Sequence, residues 1–161
     1  MEEYNLLGQL INEFELKEGK IQKIIRKEYI YDGILIFEGE YKDGEKYKGK
    51  EYNYYGKLIF EGEYKDTKKY KGKEYNYDGI LIFEGEYKDT KKYKGKEYNY
   101  KGKLIFEGEY KEGKKWNGIF YNPENNENCG NLINGNGIIR SYDNGKLILM
   151  VNIKMVKNGM E

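Results

Sequence analysis

The groups in this chain best placed to do chemistry are glutamates that sit two positions apart. They recur as Glu38/Glu40, Glu61/Glu63, Glu84/Glu86 and Glu107/Glu109. Residues two apart on a strand share a face, so each pair has the composition of a general acid and a general base. A glycosidase-type site needs one pair in a cleft, with surroundings that push the two pKa values apart. Four equivalent pairs give no such asymmetry and read as a solvated outer face. Other chemistries lack their reagents. The chain has no histidine, one cysteine (Cys129), one serine (Ser141) and two threonines (Thr67 and Thr90). No nucleophile–base pair can be assembled from these, and a zinc site lacks its usual ligands. One cysteine cannot close a disulfide within the chain, which fits a reducing compartment. The sequence predicts a non-enzyme with no cofactor and no metal.

Two further sets of residues recur with the glutamates. Tyr47, Tyr70, Tyr93 and Trp116 are spaced 23 residues apart beside a turn. Such aromatics pack between units or form a strip that a protein partner can grip. Lysines repeat as Lys42, Lys65, Lys88, Lys111 and as Lys48, Lys71, Lys94. Stacked in columns, they could dock anionic lipid headgroups. Their alternative is mutual neutralisation, because Glu-Gly-Glu on one strand would face Lys-Gly-Lys on the next. Lys and Arg total 29 against 28 Asp and Glu, for a net charge of +1. That balance argues against nucleic acid, which selects a dominant basic surface.

What must position these residues is a repeat. FEGEYKDGEKYKGKEYNYYGKLI begins at Phe37, FEGEYKDTKKYKGKEYNYDGILI at Phe60 and FEGEYKDTKKYKGKEYNYKGKLI at Phe83. The first two copies match at 19 of 23 positions and the last two at 21 of 23. A repeat this regular implies small units that stack on their neighbours. The expected organisation is a single domain over 1–161, opening with a half-unit cap over 1–11. Units follow over 12–36, 37–59, 60–82, 83–105 and 106–128, with degenerate units over 129–161. The unit over 12–36 carries two extra residues within Ile21 to Arg26.

Each unit holds two alternating runs. Leu58, Phe60, Gly62 and Tyr64 share one face, and Ile59, Glu61 and Glu63 share the other, which predicts a half-buried strand. In the second run Tyr75 and Tyr77 share a face with Lys71 and Lys73, and the tyrosines are expected to point inward. A bulge at Gly72 would change that phase. One turn holds Asp43-Gly44, Asp66-Thr67 and Asp89-Thr90; threonine in glycine's place predicts that positive φ is not required there. The other turn keeps glycine at Gly33, Gly56, Gly79, Gly102 and Gly145, which predicts positive φ. No segment has a helical period, and alanine is absent. The fold class expected is all-β: an elongated repeat array of antiparallel β-hairpins forming one continuous single-layer sheet or solenoid.

The spacing Phe60-x-Gly62-x-Tyr64-x-x-Thr67, followed by Gly72, Tyr75 and Gly79, resembles the MORN repeat. The likeness covers nearly the whole chain and is most specific in the EGEYKDG half. In the second half Gly49, Gly72 and Gly95 stand where that family usually has two glycines. The resemblance implies a β-hairpin array working in protein–protein assembly, dimerisation or membrane-proximal scaffolding, with phospholipid binding proposed for the family. A bacterial branch with similar units is associated with antitoxins of toxin–antitoxin pairs.

The reading that results is a non-enzymatic scaffold binding protein partners of unknown identity along its repeat surface, through Tyr47, Tyr70, Tyr93 and Trp116. The alternatives are a peripheral membrane module reading anionic lipid through the lysine columns, or an antitoxin. Self-association through the ends of the array is a further expectation. The acidic, polar start shows no signal peptide, and the longest apolar run, Leu147 to Val151, is far short of a span. The expected location is cytoplasmic or peripheral to a membrane.

Overall fold

The computed structural model describes residues 1–30, 32–143 and 146–154. Among them are fourteen strands and no helix. They are β1 (Glu2–Tyr4), β2 (Leu10–Lys17), β3 (Lys20–Tyr29), β4 (Leu35–Lys42), β5 (Glu45–Tyr52), β6 (Leu58–Lys65) and β7 (Lys68–Tyr75), followed by β8 (Leu81–Lys88), β9 (Lys91–Tyr98), β10 (Leu104–Lys111), β11 (Lys114–Tyr121), β12 (Asn128–Ile133), β13 (Asn136–Asp143) and β14 (Lys146–Ile153). All lie in one open antiparallel sheet, ordered as they are in the chain. The all-β hairpin repeat expected from the sequence is therefore present. The two extra residues near Ile21 are absorbed by β3, which has 10 residues where β4 and β5 have 8. The chain divides into two compact units, Met1–Leu81 and Ile82–Glu161.

A single-layer sheet has no second layer to bury its aromatics, and the glycines solve this. In the first unit Gly62 stands opposite Gly49 on one side and Gly72 on the other. A Cβ on Gly72 would lie 2.6 Å from Phe60 Cζ and 2.4 Å from the Glu61 carbonyl oxygen. The phenyl ring thus lies flat over the glycine pair, and Phe60 is 0% exposed. Tyr64 closes one end, its ring 5.6 Å from that of Phe60 in an edge-on arrangement. The second unit repeats this at Phe106, which covers Gly108 and Gly118, with Tyr110 at 5.6 Å. Burying one such ring removes enough apolar area for about 2–3 kcal/mol.

The first hairpin departs from the pattern. Asn12 occupies the place of Phe37; its amide donates to Glu3 Oε2 at 2.7 Å, and its Oδ1 accepts from Arg26 Nε at 3.0 Å. The Arg26 guanidinium lies over the Tyr41 ring at 4.6 Å. A polar pair there replaces the ring-over-glycine packing.

Both turns demand positive φ, which overturns one expectation. Thr67 has φ 62° and Thr90 φ 67°, and the preceding Asp66 and Asp89 lie at 50° and 49°. Two central residues with φ > 0 make a type I′ turn, whose twist matches that of the flanking strands. The strands dictate the turn, and threonine adopts it at a steric cost. The Thr67 hydroxyl donates to the Asp66 carbonyl at 2.7 Å.

The other turn behaves as expected at Gly33, Gly56, Gly79 and Gly102, with φ of 73°, 70°, 81° and 73°; Gly145 lies outside the described residues. At Gly56, Gly79 and Gly102 its organiser is the asparagine three positions earlier, where Gly33 has Ile30. Asn76 Oδ1 accepts from the backbone N–H of Asp78 and of Ile80, both at 2.9 Å. Asn53 and Asn99 hold their own loops in the same way.

Candidate functional site

The two faces of the sheet have separate chemistries. On the aromatic face of the first unit, Glu51 is flanked by Phe60. Its carboxylate accepts the Tyr64 hydroxyl at 3.0 Å and pairs with Lys69 at 2.9 Å. The Lys69 ammonium lies 4.2 Å from the Phe60 ring centroid. Glu28, Tyr41, Lys46 and Phe37 form the same group one unit earlier, with Lys46 3.0 Å from Glu28. In the second unit Glu97 accepts Tyr110 at 3.0 Å and pairs with Lys115 at 2.9 Å. Burial first, and then the neighbouring carboxylate, push the phenols of Tyr64 and Tyr110 far above the usual tyrosine range. These are structural networks, repeated with the units.

The opposite face is a checkerboard of charge. In the first unit Glu61 stands between Lys50 and Lys73, and Glu63 between Lys48 and Lys71. In the second, Glu84 and Glu86 face Lys96 and Lys94. Each exposed pair contributes a few tenths of a kcal/mol, and a one-residue slip would set Lys48 and Lys50 opposite Gly62 and its aromatic neighbours instead of their glutamates. The lysines singled out at Lys48, Lys71 and Lys94 are exposed, and each has a glutamate directly across the ladder. The paired glutamates are likewise each matched by a lysine, Glu107 and Glu109 facing Lys96 and Lys94 on one side and Ile119 and Asn117 of β11 on the other. The tyrosines ending the second strands belong to this face. Tyr52 donates to Glu38 and Tyr98 to Glu84, both at 2.6 Å. Burial and these bonds raise both phenols.

Tyr77 corrects the inward placement of the tyrosines. It lies in the asparagine turn, 75% exposed, because β7 ends at Tyr75. Tyr54 and Tyr55, also in the first unit, and Tyr100 in the second are exposed in the same turn.

The four aromatics flagged as a strip share one position. The register passes from Glu63↔Lys71 to Tyr64↔Lys69, leaving Tyr70 as the extra residue of a bulge. Tyr47, Tyr93 and Trp116 are left over in the same way. The bulge falls at these residues, not at Gly72. An extra residue has no partner across the ladder, so Tyr47, Tyr70 and Tyr93 stay nearly half exposed and Trp116 is partly covered. Lysines from the adjoining strand end reach them: Lys42 lies over Tyr47 at 5.9 Å, and Lys111 over Trp116 at 4.5 Å. Trp116 also serves the next hairpin, its carbonyl accepting the Gly135 N–H at 2.8 Å.

Lys42, Lys65, Lys88 and Lys111 end their strands, exposed, across from Glu45, Lys68, Lys91 and Lys114. The turn tips of residues 65–69, 88–92 and 111–115 are therefore basic although the whole chain is nearly neutral, while Glu45 balances Lys42 in the tip before β5. Burial raises the Cys129 thiol, which suppresses its thiolate. Among the described residues no helix is long and apolar enough to cross a membrane.

No protein-family model matches this sequence, and no curated protein matches it. The site is therefore defined by its own geometry: a charge-balanced face edged by bulge aromatics and lysine-rich turn tips.

Proposed function

We propose that the chain is a non-enzymatic interaction module that binds protein partners through its bulge aromatics. The observation that carries this reading is that Tyr47, Tyr70, Tyr93 and Trp116 all occupy the extra residue of a β-bulge. The fold spends a ladder position to set each of them at the rim of a charged face, where large aromatic side chains serve as anchors for a partner. The likeness to MORN repeats supports the same reading. The glutamate–lysine face around them supplies a polar rim that fixes register rather than affinity.

The reading is tested with Tyr70→Ala, Tyr93→Ala and Trp116→Ala, singly and combined, in partner capture from the native source. A complex held by the parent chain and lost in the triple variant, with unchanged circular dichroism, supports it. Retention of that complex by the folded triple variant refutes it. Tyr54→Ala with Tyr77→Ala, which removes exposed tyrosines from the opposite turns, is expected to leave the complex intact.

Anionic lipid is a second reading, favoured by the exposed Lys42, Lys65, Lys88 and Lys111 at the turn tips. It predicts vesicle binding that falls steeply with salt.

A further inference from the structure

A pocket of about 240 Å³ lies in the second unit, between the tip joining β8 to β9 and the tip joining β10 to β11. Lys88, Lys91 and Lys92 line it, with Asp89 and Glu112 as its acidic members. The two tips together carry six lysines (88, 91, 92, 111, 114 and 115) against two carboxylates. Two of these ammoniums are already placed. Lys115 is held by Glu97, and Lys92 lies over the Phe83 ring at 4.4 Å. Lys88 and Lys91 end and begin their strands directly across from each other and are exposed. The stem of Lys91 runs beside Gly113, 3.8 Å from where a Cβ would stand, which places it between the tips. The wall is aromatic. Tyr93, the bulge residue, offers a half-exposed ring, and Tyr110 lies behind with its hydroxyl committed to Glu97.

Two ammoniums in an excess of positive charge select a compact dianion, and a phosphate monoester carries close to two negative charges at neutral pH. The volume exceeds one phosphate and leaves room beside Tyr93 for the group that carries it. We propose that this pocket binds a phosphate monoester, with Lys88 and Lys91 taking the phosphate and the Tyr93 ring flanking its carrier. The site stands on the pocket between the tips and not on the docking of a protein to the aromatic strip. Small soluble probes therefore test it separately.

Titration of the full chain with inorganic phosphate and with phenyl phosphate, followed calorimetrically, is the first experiment. Saturable binding of both is expected, with phenyl phosphate tighter. Lys88→Gln with Lys91→Gln is expected to weaken both by about ten-fold or more, the loss of charge-assisted contacts. Tyr93→Ala is expected to abolish the advantage of phenyl phosphate while leaving inorganic phosphate unchanged. Melting curves establish that the variants are folded; Lys65→Gln with Lys68→Gln, at the matching tip of the first unit, is the control with no expected effect. The absence of saturable binding by either probe overturns the proposal, as does binding that the Lys88/Lys91 variant retains. Phosphatidylcholine vesicles with and without phosphatidylinositol monophosphate separate the sources. Vesicle binding competed by phenyl phosphate puts the monoester on a headgroup, and soluble binding without vesicle binding puts it on a soluble carrier. Vesicle binding that phenyl phosphate leaves intact and the variant retains counts against the pocket.

Discussion

Replacing Gly72 with alanine is expected to be among the most costly single methyl additions in this chain. Its backbone is not in the left-handed region, so the cost is purely one of space. The new Cβ would lie 2.4 Å from the Glu61 carbonyl oxygen and 2.6 and 2.8 Å from two atoms of the Phe60 ring. Carbon–oxygen contacts of this kind sit well beyond 3 Å in real structures. The ring can swing away, but the carbonyl belongs to the paired strand β6 and cannot move without opening the ladder. Two losses then add: overpacking of about 1–3 kcal/mol, and part of the burial of Phe60, another ~1–2 kcal/mol. The expected destabilisation is about 3 kcal/mol. Gly56→Ala is the matched comparison, because it adds the same methyl group at φ 70° with nothing within 4 Å. It should cost only the left-handed strain of about 1–2 kcal/mol. Urea denaturation followed by far-ultraviolet circular dichroism measures both. Equal costs, or a Gly72→Ala cost below that of Gly56→Ala, would refute the ring-over-glycine account of the core.

Thr67→Gly with Thr90→Gly should raise the melting temperature by a few degrees, since relief of about 1 kcal/mol of left-handed strain per site outweighs one exposed hydroxyl bond and the added freedom of glycine; an unchanged or lower value in a thermal melt would count against the strain. Asn76→Ala removes two hydrogen bonds to backbone N–H groups at 2.9 Å and should cost about 1 kcal/mol by denaturant unfolding. The raised phenols of Tyr64 and Tyr110 give a signed pH dependence. Their folded pKa lies above the unfolded value of 10.0, so their contribution is complete below that pH and falls as pH rises beyond it, where the unfolded chain releases protons that the folded chain retains. Denaturant midpoints that hold steady across that alkaline range would contradict it.

Much of this fold is written in Phe60-Glu61-Gly62-Glu63-Tyr64. Alternation alone separates the buried ring from the carboxylates, and Lys71-Gly72-Lys73 supplies the opposite charges that fix the register. The glycine at position 79 announces its turn because no other residue takes that φ without cost. Thr67 misleads for the opposite reason. Its turn is imposed by strand twist, a property of the pairing and not of the tetrapeptide. Tyr77 misleads because alternation continues on paper past the point where Asn76 ends the strand. The asparagine spaced three before Gly56, Gly79 and Gly102 was the available signal, since its side chain mimics a turn backbone. Tyr70 was legible as a recurring aromatic, but its bulge depends on the register of two strands. The grouping of Glu51, Tyr64 and Lys69 joins three strands and has no trace in local spacing.

The ladder of Glu61 between Lys50 and Lys73 has a consequence for heredity. A deletion of residues 60–82 would bring β5 against a strand with the same glutamates at the same offsets, so Lys50 would meet Glu84 instead of Glu61. A duplication would do the reverse. Gains and losses in whole multiples of 23 residues leave the Lys–Glu pairs matched, whereas a one-residue offset sets Lys50 against Gly62 or Phe60 and loses its glutamate. Copy number can then drift during replication with little penalty to folding, and a chain lacking 60–82 should keep the circular dichroism per residue of its parent.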